Sequence, residues 1–242
     1  MPEMLWVMLY AMLPVIGHWL GAALAISTQP PPWIAGAALH GSAGIAIALV
    51  SMDLMPKIQQ SVPVWLMMVL FVVGAAISVA LSKLILRLKP DTDGASYGAI
   101  MIYAAIGVDL VSDGMMTGAG FAVQSHLGLL LAAAQAVSNI PGGFSATVNL
   151  QHQQVNKGRQ WLIAGLIVVP VLISAVVGFW LLTDASALVQ QSILMIIVGL
   201  LLMTTIEDII PEADAPCPPR AVSTCAFAAG FVGLILMSEY LG

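Results

Sequence analysis

Apolar residues in this chain arrive in long unbroken runs, and polar residues are confined to the short gaps between them. A bilayer core of about 30 Å takes about 20 apolar residues as a helix. The chain divides into eight runs of that kind, over 4–26, 33–55, 64–86, 95–123, 127–150, 161–182, 187–210 and 222–241. The breaks carry turn and stop signals: Ser27-Thr28-Gln29 with three prolines, Pro56-Lys57, the turn Pro90-Asp91-Thr92-Asp93-Gly94, Gln124-Ser125-His126, and the polar stretch from Gln151 to Lys157. This pattern predicts an all-α membrane protein of eight transmembrane helices in one polytopic domain, 1–242.

One stretch departs from the pattern. Between Gly107 and Gly143 the fourth run carries Asp109, Ser112 and Asp113, and the fifth carries Gln135, Ser138 and Asn139 ahead of Pro141-Gly142-Gly143. An ionisable group in hydrocarbon costs roughly 3 kcal/mol or more, so two aspartates one turn apart require a cation, a proton or a wet cavity. Function is expected there.

Composition agrees with the membrane reading: 60% of residues are hydrophobic and 8% charged, with a mean hydropathy of +1.00. The net charge of −5 is spread thinly and there is no basic cluster, which excludes a nucleic-acid partner. Met1-Pro2-Glu3 lacks a positive n-region, so the first run is expected to be a retained span. Cys217 and Cys225 have no His nearby and are read as unpaired thiols. If alternate loops lie on opposite sides, six of the seven basic residues (Lys83, Arg87, Lys89, Lys157, Arg159 and Arg220) share one side and Lys57 is alone on the other. That split places the six in the cytoplasm and both termini outside.

An internal repeat is also visible. The segment from Gly44 through Asp53 to Pro56 aligns without gaps with the segment from Gly199 through Asp208 to Pro211, at a constant offset of 155 residues. Helices two and seven cross in opposite directions, so the match predicts an inverted repeat of helices 1–3 and 6–8 around helices 4 and 5.

These residues together resemble the ZIP (Zrt/Irt-like) family of divalent-metal transporters, over nearly the whole length. Asp109-Leu110-Val111-Ser112-Asp113-Gly114 is similar to the family's helix-four motif His-Asn-x-x-acid-Gly, and Ser138-Asn139-Ile140-Pro141-Gly142-Gly143 to its helix-five motif His-x-x-Pro-Glu-Gly. The Asp53-Leu54-Met55-Pro56-Lys57 and Glu207-Asp208-Ile209-Ile210-Pro211-Glu212 ends resemble the family's Glu-Leu-Ile-Pro-Glu ends. Ala164-Gly165-Leu166 to Pro170 stands in place of a helix-six Gly-Leu-x-Glu-Pro run. The resemblance implies eight helices with both termini outside, a transported divalent ion of the Zn, Fe or Mn class, no bound cofactor, no enzymatic activity, a prokaryotic plasma (inner) membrane and a homodimer. Several family ligands are replaced: Asp109 for His, Leu110 for Asn, Ser138 for His, Gly142 for Glu, and Val169 for the helix-six Glu. What survives implies one metal position rather than two.

The residues themselves describe an oxygen-only site. Asp109 and Asp113 share one face of helix four, and Gln135, Ser138, Asn139 and Gly142 share one face of helix five. Pro141 has no N–H, which leaves the Val137 carbonyl without its helical donor. Such a set suits hard cations. Asp109, Asp113, Ser138 and Asn139 are therefore the candidate metal residues, with Gln135, Asp208 and Glu212 as weaker ones. Gly114, Gly118 and Ala122 are read as a packing seam, His18 and His40 as helix contacts, and Asp53, Glu207, Asp208 and Glu212 as water-facing acids or cation-attracting acids at a pore mouth. No metalloprotease helix or nucleophile elbow occurs. A degenerate relative that keeps the fold but has another substrate or a sensing role is the competing expectation.

Overall fold

The computed structural model describes residues 2–28, 31–87 and 110–241. Among them every regular element is helical. We number the helices α1 (Pro2–Ser27), α2 (Trp33–Gln59), α3 (Val64–Arg87), α4 (described over 110–123), α5 (Ser125–His152), α6 (Lys157–Leu182), α7 (Ala187–Asp214) and α8 (Arg220–Leu241). Seven of the described helices are long and apolar enough to cross a membrane. The beginning of α4 expected from 95, with Asp109, and the turn 90–94 lie outside the described residues.

Local chemistry sets the ends and bends. Asn156 caps α6 by accepting the Arg159 amide at 2.9 Å, and Ser186 caps α7 through the Val189 amide at 3.5 Å. α6 is interrupted at Ile167, where Pro170 withdraws the amide that the Leu166 carbonyl would have accepted. Pro56 and Pro211 do not stop their helices. Each follows a π turn, Leu49–Leu54 in α2 and Thr205–Ile209 in α7, and the helix continues for five more residues. In both turns the amide before the proline reaches back five residues, Met55 to the Val50 carbonyl and Ile210 to the Thr205 carbonyl.

Small residues decide which helices touch. α1 packs on α5, where Gly17 faces the Ala136 carbonyl and Gly143 faces the His18 carbonyl with no room for a Cβ. α4 packs on α6 through Gly114 and Gly118, which confirms the seam: their Cα atoms abut the Val171 and Ala175 carbonyls. α2 pairs with α8 and α3 with α7, and these two contacts use corresponding glycines. Gly44 meets the Phe227 carbonyl as Gly199 meets that of Phe71, and Gly230 meets the Gly41 carbonyl as Gly74 meets that of Ile196. Close backbone approach at small residues is how helices associate where lipid removes the hydrophobic drive between them.

Two apolar cores result. One joins α1 to α4 and α6 around Val15, Leu110, Val171 and Phe179, with Phe121 edge-on to Phe179 at 5.7 Å and to Tyr10 at 5.5 Å. The other joins α2, α3 and α7 to α5 and α8 around Leu49, Leu54, Ile58, Leu131, Leu194 and Leu234. Among the described residues of the second group, α2 makes the most extensive contact with α5. The outer faces of α3 and α8 are apolar and largely uncovered, as lipid-facing surfaces are.

Candidate functional site

α4 and α5 run antiparallel, and their polar residues meet in register. Asn139 donates from Nδ2 to Asp113 Oδ2 at 2.6 Å, and both side chains are buried. One turn away, Thr117 donates from Oγ1 to Gln135 Oε1 at 2.8 Å, and Gln135 Nε2 lies 3.4 Å from Met116 Sδ. The first bond is short because its acceptor is a carboxylate. The amide stabilises the aspartate there without supplying a full positive charge.

Ser138 is oriented differently. Its hydroxyl donates to the Gln135 carbonyl of its own helix at 3.2 Å, and its carbonyl accepts from Ser42 Oγ of α2 at 2.9 Å. The structure thus brings Asp113, Asn139 and Gln135 into one layer and leaves the Ser138 hydroxyl on its own backbone. Asp109 lies outside the described residues. Val137, whose carbonyl loses its donor to Pro141, has a side chain 48 % exposed. A Cβ on Gly142, one turn beyond Asn139, would meet nothing within 4 Å.

Asp208 and Glu212 stand apart from this layer. Asp208 is exposed and accepts from Ser82 of α3 at 3.2 Å, while Glu212 accepts a hydrogen bond from Ser145 of α5. Glu212 is therefore tied to α5 about 9 Å along the axis from Asn139. His40 lies 3.3 Å from Asp214 and 2.9 Å from the Gly36 carbonyl, a helix contact as expected, and both cysteines are free. Asp53 is not a water-facing end: it is buried, because α2 continues past it and α8 covers it. Among the described residues no three His, Cys, Asp or Glu side chains gather closely enough to hold a metal ion.

Thr117, Met116 and Ser42 were not singled out from sequence. Thr117 had a readable signal, four residues after Asp113 on the same face. Met116 and Ser42 had none, since thioether and hydroxyl groups are ordinary in membrane helices.

Fold and layer together define a polytopic helical membrane protein with a buried acid–amide pair between two central helices. The chain matches no protein-family model and no curated protein.

Proposed function

We propose that the chain is a ZIP-like transporter that moves a divalent cation of the Zn, Fe or Mn class toward the cytoplasm, through a single oxygen-lined site between α4 and α5. The observation that carries this reading is the buried contact of Asn139 with Asp113. A carboxylate there is costly without a cation, and rotation of the Asn139 amide would exchange its N–H for a second oxygen ligand. Asp109, four residues before Asp113, supplies the second carboxylate of the site, and Glu212 and Asp208 attract cations at the mouth.

The arrangement of helices supports the same reading. The matched π turns, prolines and glycines of α2–α3 and α7–α8 accord with an inverted repeat, in which α1 to α3 and α6 to α8 flank α4 and α5. The distribution of basic residues supports termini outside the cytoplasm, and a prokaryotic plasma (inner) membrane rests on the family resemblance. Homodimerisation rests on the family resemblance alone.

The test is divalent-ion uptake into proteoliposomes across Zn²⁺, Fe²⁺, Mn²⁺, Co²⁺ and Mg²⁺. Asp113→Asn is expected to abolish uptake, and Asn139→Ala to weaken apparent affinity by about 10–100-fold, the usual cost of losing a partner of a metal-ligating carboxylate. Uptake unchanged in both variants refutes the site. A second reading, a ZIP-like fold with a different substrate or a sensing role, is favoured by the replaced acids of helices five and six, Gly142 and Val169. It requires that no divalent ion be transported by a protein that is folded and correctly inserted.

A further inference from the structure

Trp6, Trp33, Trp65, Trp161, Trp180 and Tyr240 are exposed, and none of their N–H or O–H groups bonds to a described residue. The remaining tryptophan, Trp19, is half-buried and donates from Nε1 to the Ala164 carbonyl of α6 at 2.7 Å. An indole gains by placing its ring in hydrocarbon and loses when its N–H finds no acceptor there. An exposed tryptophan on a membrane helix therefore settles where the acyl chains meet headgroup oxygens and water.

The six exposed rings sit at two levels. Short turns at 60–63, 124 and 183–186 reverse successive helices, and the pairs α1–α5, α2–α8, α3–α7 and α4–α6 run parallel. Trp6 and Trp65 near the starts of α1 and α3 thus share one end of the bundle with Trp180 and Tyr240 near the ends of α6 and α8. Trp33 and Trp161, near the starts of α2 and α6, mark the opposite end. α6 carries a ring of each level, Trp161 at 47 % and Trp180 at 70 % exposure, nineteen residues apart. At 1.5 Å per residue that is about 28 Å, the thickness of a bilayer's hydrocarbon core. Two rulers then agree on depth. Val171, whose carbonyl abuts Gly114 beside Asp113, is ten residues from Trp161 and nine from Trp180. Ser42, which bonds the Ser138 carbonyl beside Asn139, is nine residues from Trp33. Both set the Asp113–Asn139 layer about 14 Å from an aromatic level.

We propose that these six side chains are the chain's docking surface for phospholipid headgroups, two belts about 28 Å apart, and that α6, held at both, sets the bilayer thickness the protein fits. The rings lie on five helices, α1, α2, α3, α6 and α8, so one flat protein partner would not cover both belts, whereas a bilayer meets them all. Trp19 fits the same frame: its N–H lies inside the belts, beyond reach of headgroups, and is satisfied by the protein. The proposal is independent of whether α4 and α5 carry a divalent ion.

The test is fluorescence of the full-length protein in dioleoylphosphatidylcholine vesicles, in variants that keep only Trp161 or only Trp180, with phenylalanine at the other tryptophan positions. Lipid brominated near the headgroup is expected to remove more emission than lipid brominated near the chain ends. Stronger quenching by the deep label, or no quenching by either because protein covers the ring, overturns the proposal. A second measurement needs no multiple substitution. The thermal midpoint of the unsubstituted protein is expected to peak in monounsaturated phosphatidylcholine of about 28 Å hydrocarbon thickness and to fall by about 2–4 °C in thinner and in thicker bilayers. Trp161→Leu with Trp180→Leu, both at exposed positions, is expected to flatten that dependence. A midpoint that does not peak, or a dependence unchanged in the double variant, also overturns it.

Discussion

Asp53 and Asp208 each stand three residues before a proline, in a π turn, and each takes a serine hydroxyl from the next-paired helix, yet Asp53 is buried and Asp208 is exposed. The neighbours account for the difference. Around Asp53 the turn buries Leu49, Val50 and Leu54, and Leu234 of α8 joins the same core. In the α7 turn only Thr205 is buried, and where α2 and α8 have Leu49 and Leu234, α7 and α3 have Thr204 and Ser78, hydrogen-bonded at 3.0 Å. The short sequence repeat specifies the backbone turn at each aspartate, and a serine of the paired helix outside the repeat bonds to each. Its dielectric environment is specified by residues one turn away, and the two copies have diverged there.

That account can be broken most directly at the diverged pair. Leu234 is 2 % exposed, so Leu234→Ala should cost about 2–5 kcal/mol through lost packing and a residual cavity. Ser78→Ala removes one neutral hydrogen bond and should cost about 0.5–1.5 kcal/mol. Reversible unfolding in mixed micelles measures both. Equal costs would mean that the two ends are packed alike and that the contrast in exposure has another origin.

The serine latches give a smaller and sharper test. Ser238→Ala would remove the hydrogen bond to the buried Asp53, at a cost of about 1–3 kcal/mol, the penalty for leaving a buried carboxylate oxygen unsatisfied. Ser82→Ala leaves an exposed carboxylate that water can satisfy, and should change stability by less than about 0.5 kcal/mol. If the two substitutions proved equivalent, water would reach Asp53 as it reaches Asp208, and the contrast in burial would not govern the two latches.

The sequence made the helical runs legible because lipid permits little else, and the Gly–Asp–Pro repeat pointed to two segments that do share a π turn and matching glycine contacts. It misled at the prolines of those segments. Pro56 and Pro211 resemble helix stops, but a π turn accommodates each missing amide and both helices continue. The burial of Asp53 was not legible, since it depends on Leu234, which is distant in sequence. At the central layer, spacing placed Asp113 and Asn139 on usable faces but could not show that they touch. The Ser138 hydroxyl bonds to its own helix, a local alternative that serine has at any helical position.

Gly142 carries the smallest expected effect on stability and separates packing from function. At Gly44 a Cβ would run into the Phe227 backbone, whereas at Gly142 it would meet nothing within 4 Å. Gly142→Ala should therefore leave stability unchanged or raise it by up to about 1 kcal/mol, because alanine has the better helix propensity. The position is one turn beyond Asn139, on the face of α5 that carries Gln135 and Asn139. If that open space is where a hydrated cation reaches Asp113, filling it with a methyl group should slow divalent-ion uptake in proteoliposomes while the unfolding midpoint holds or rises. Uptake at the unsubstituted rate would mean that the cation approaches from another side, and would leave the space beside Gly142 as a simple packing gap.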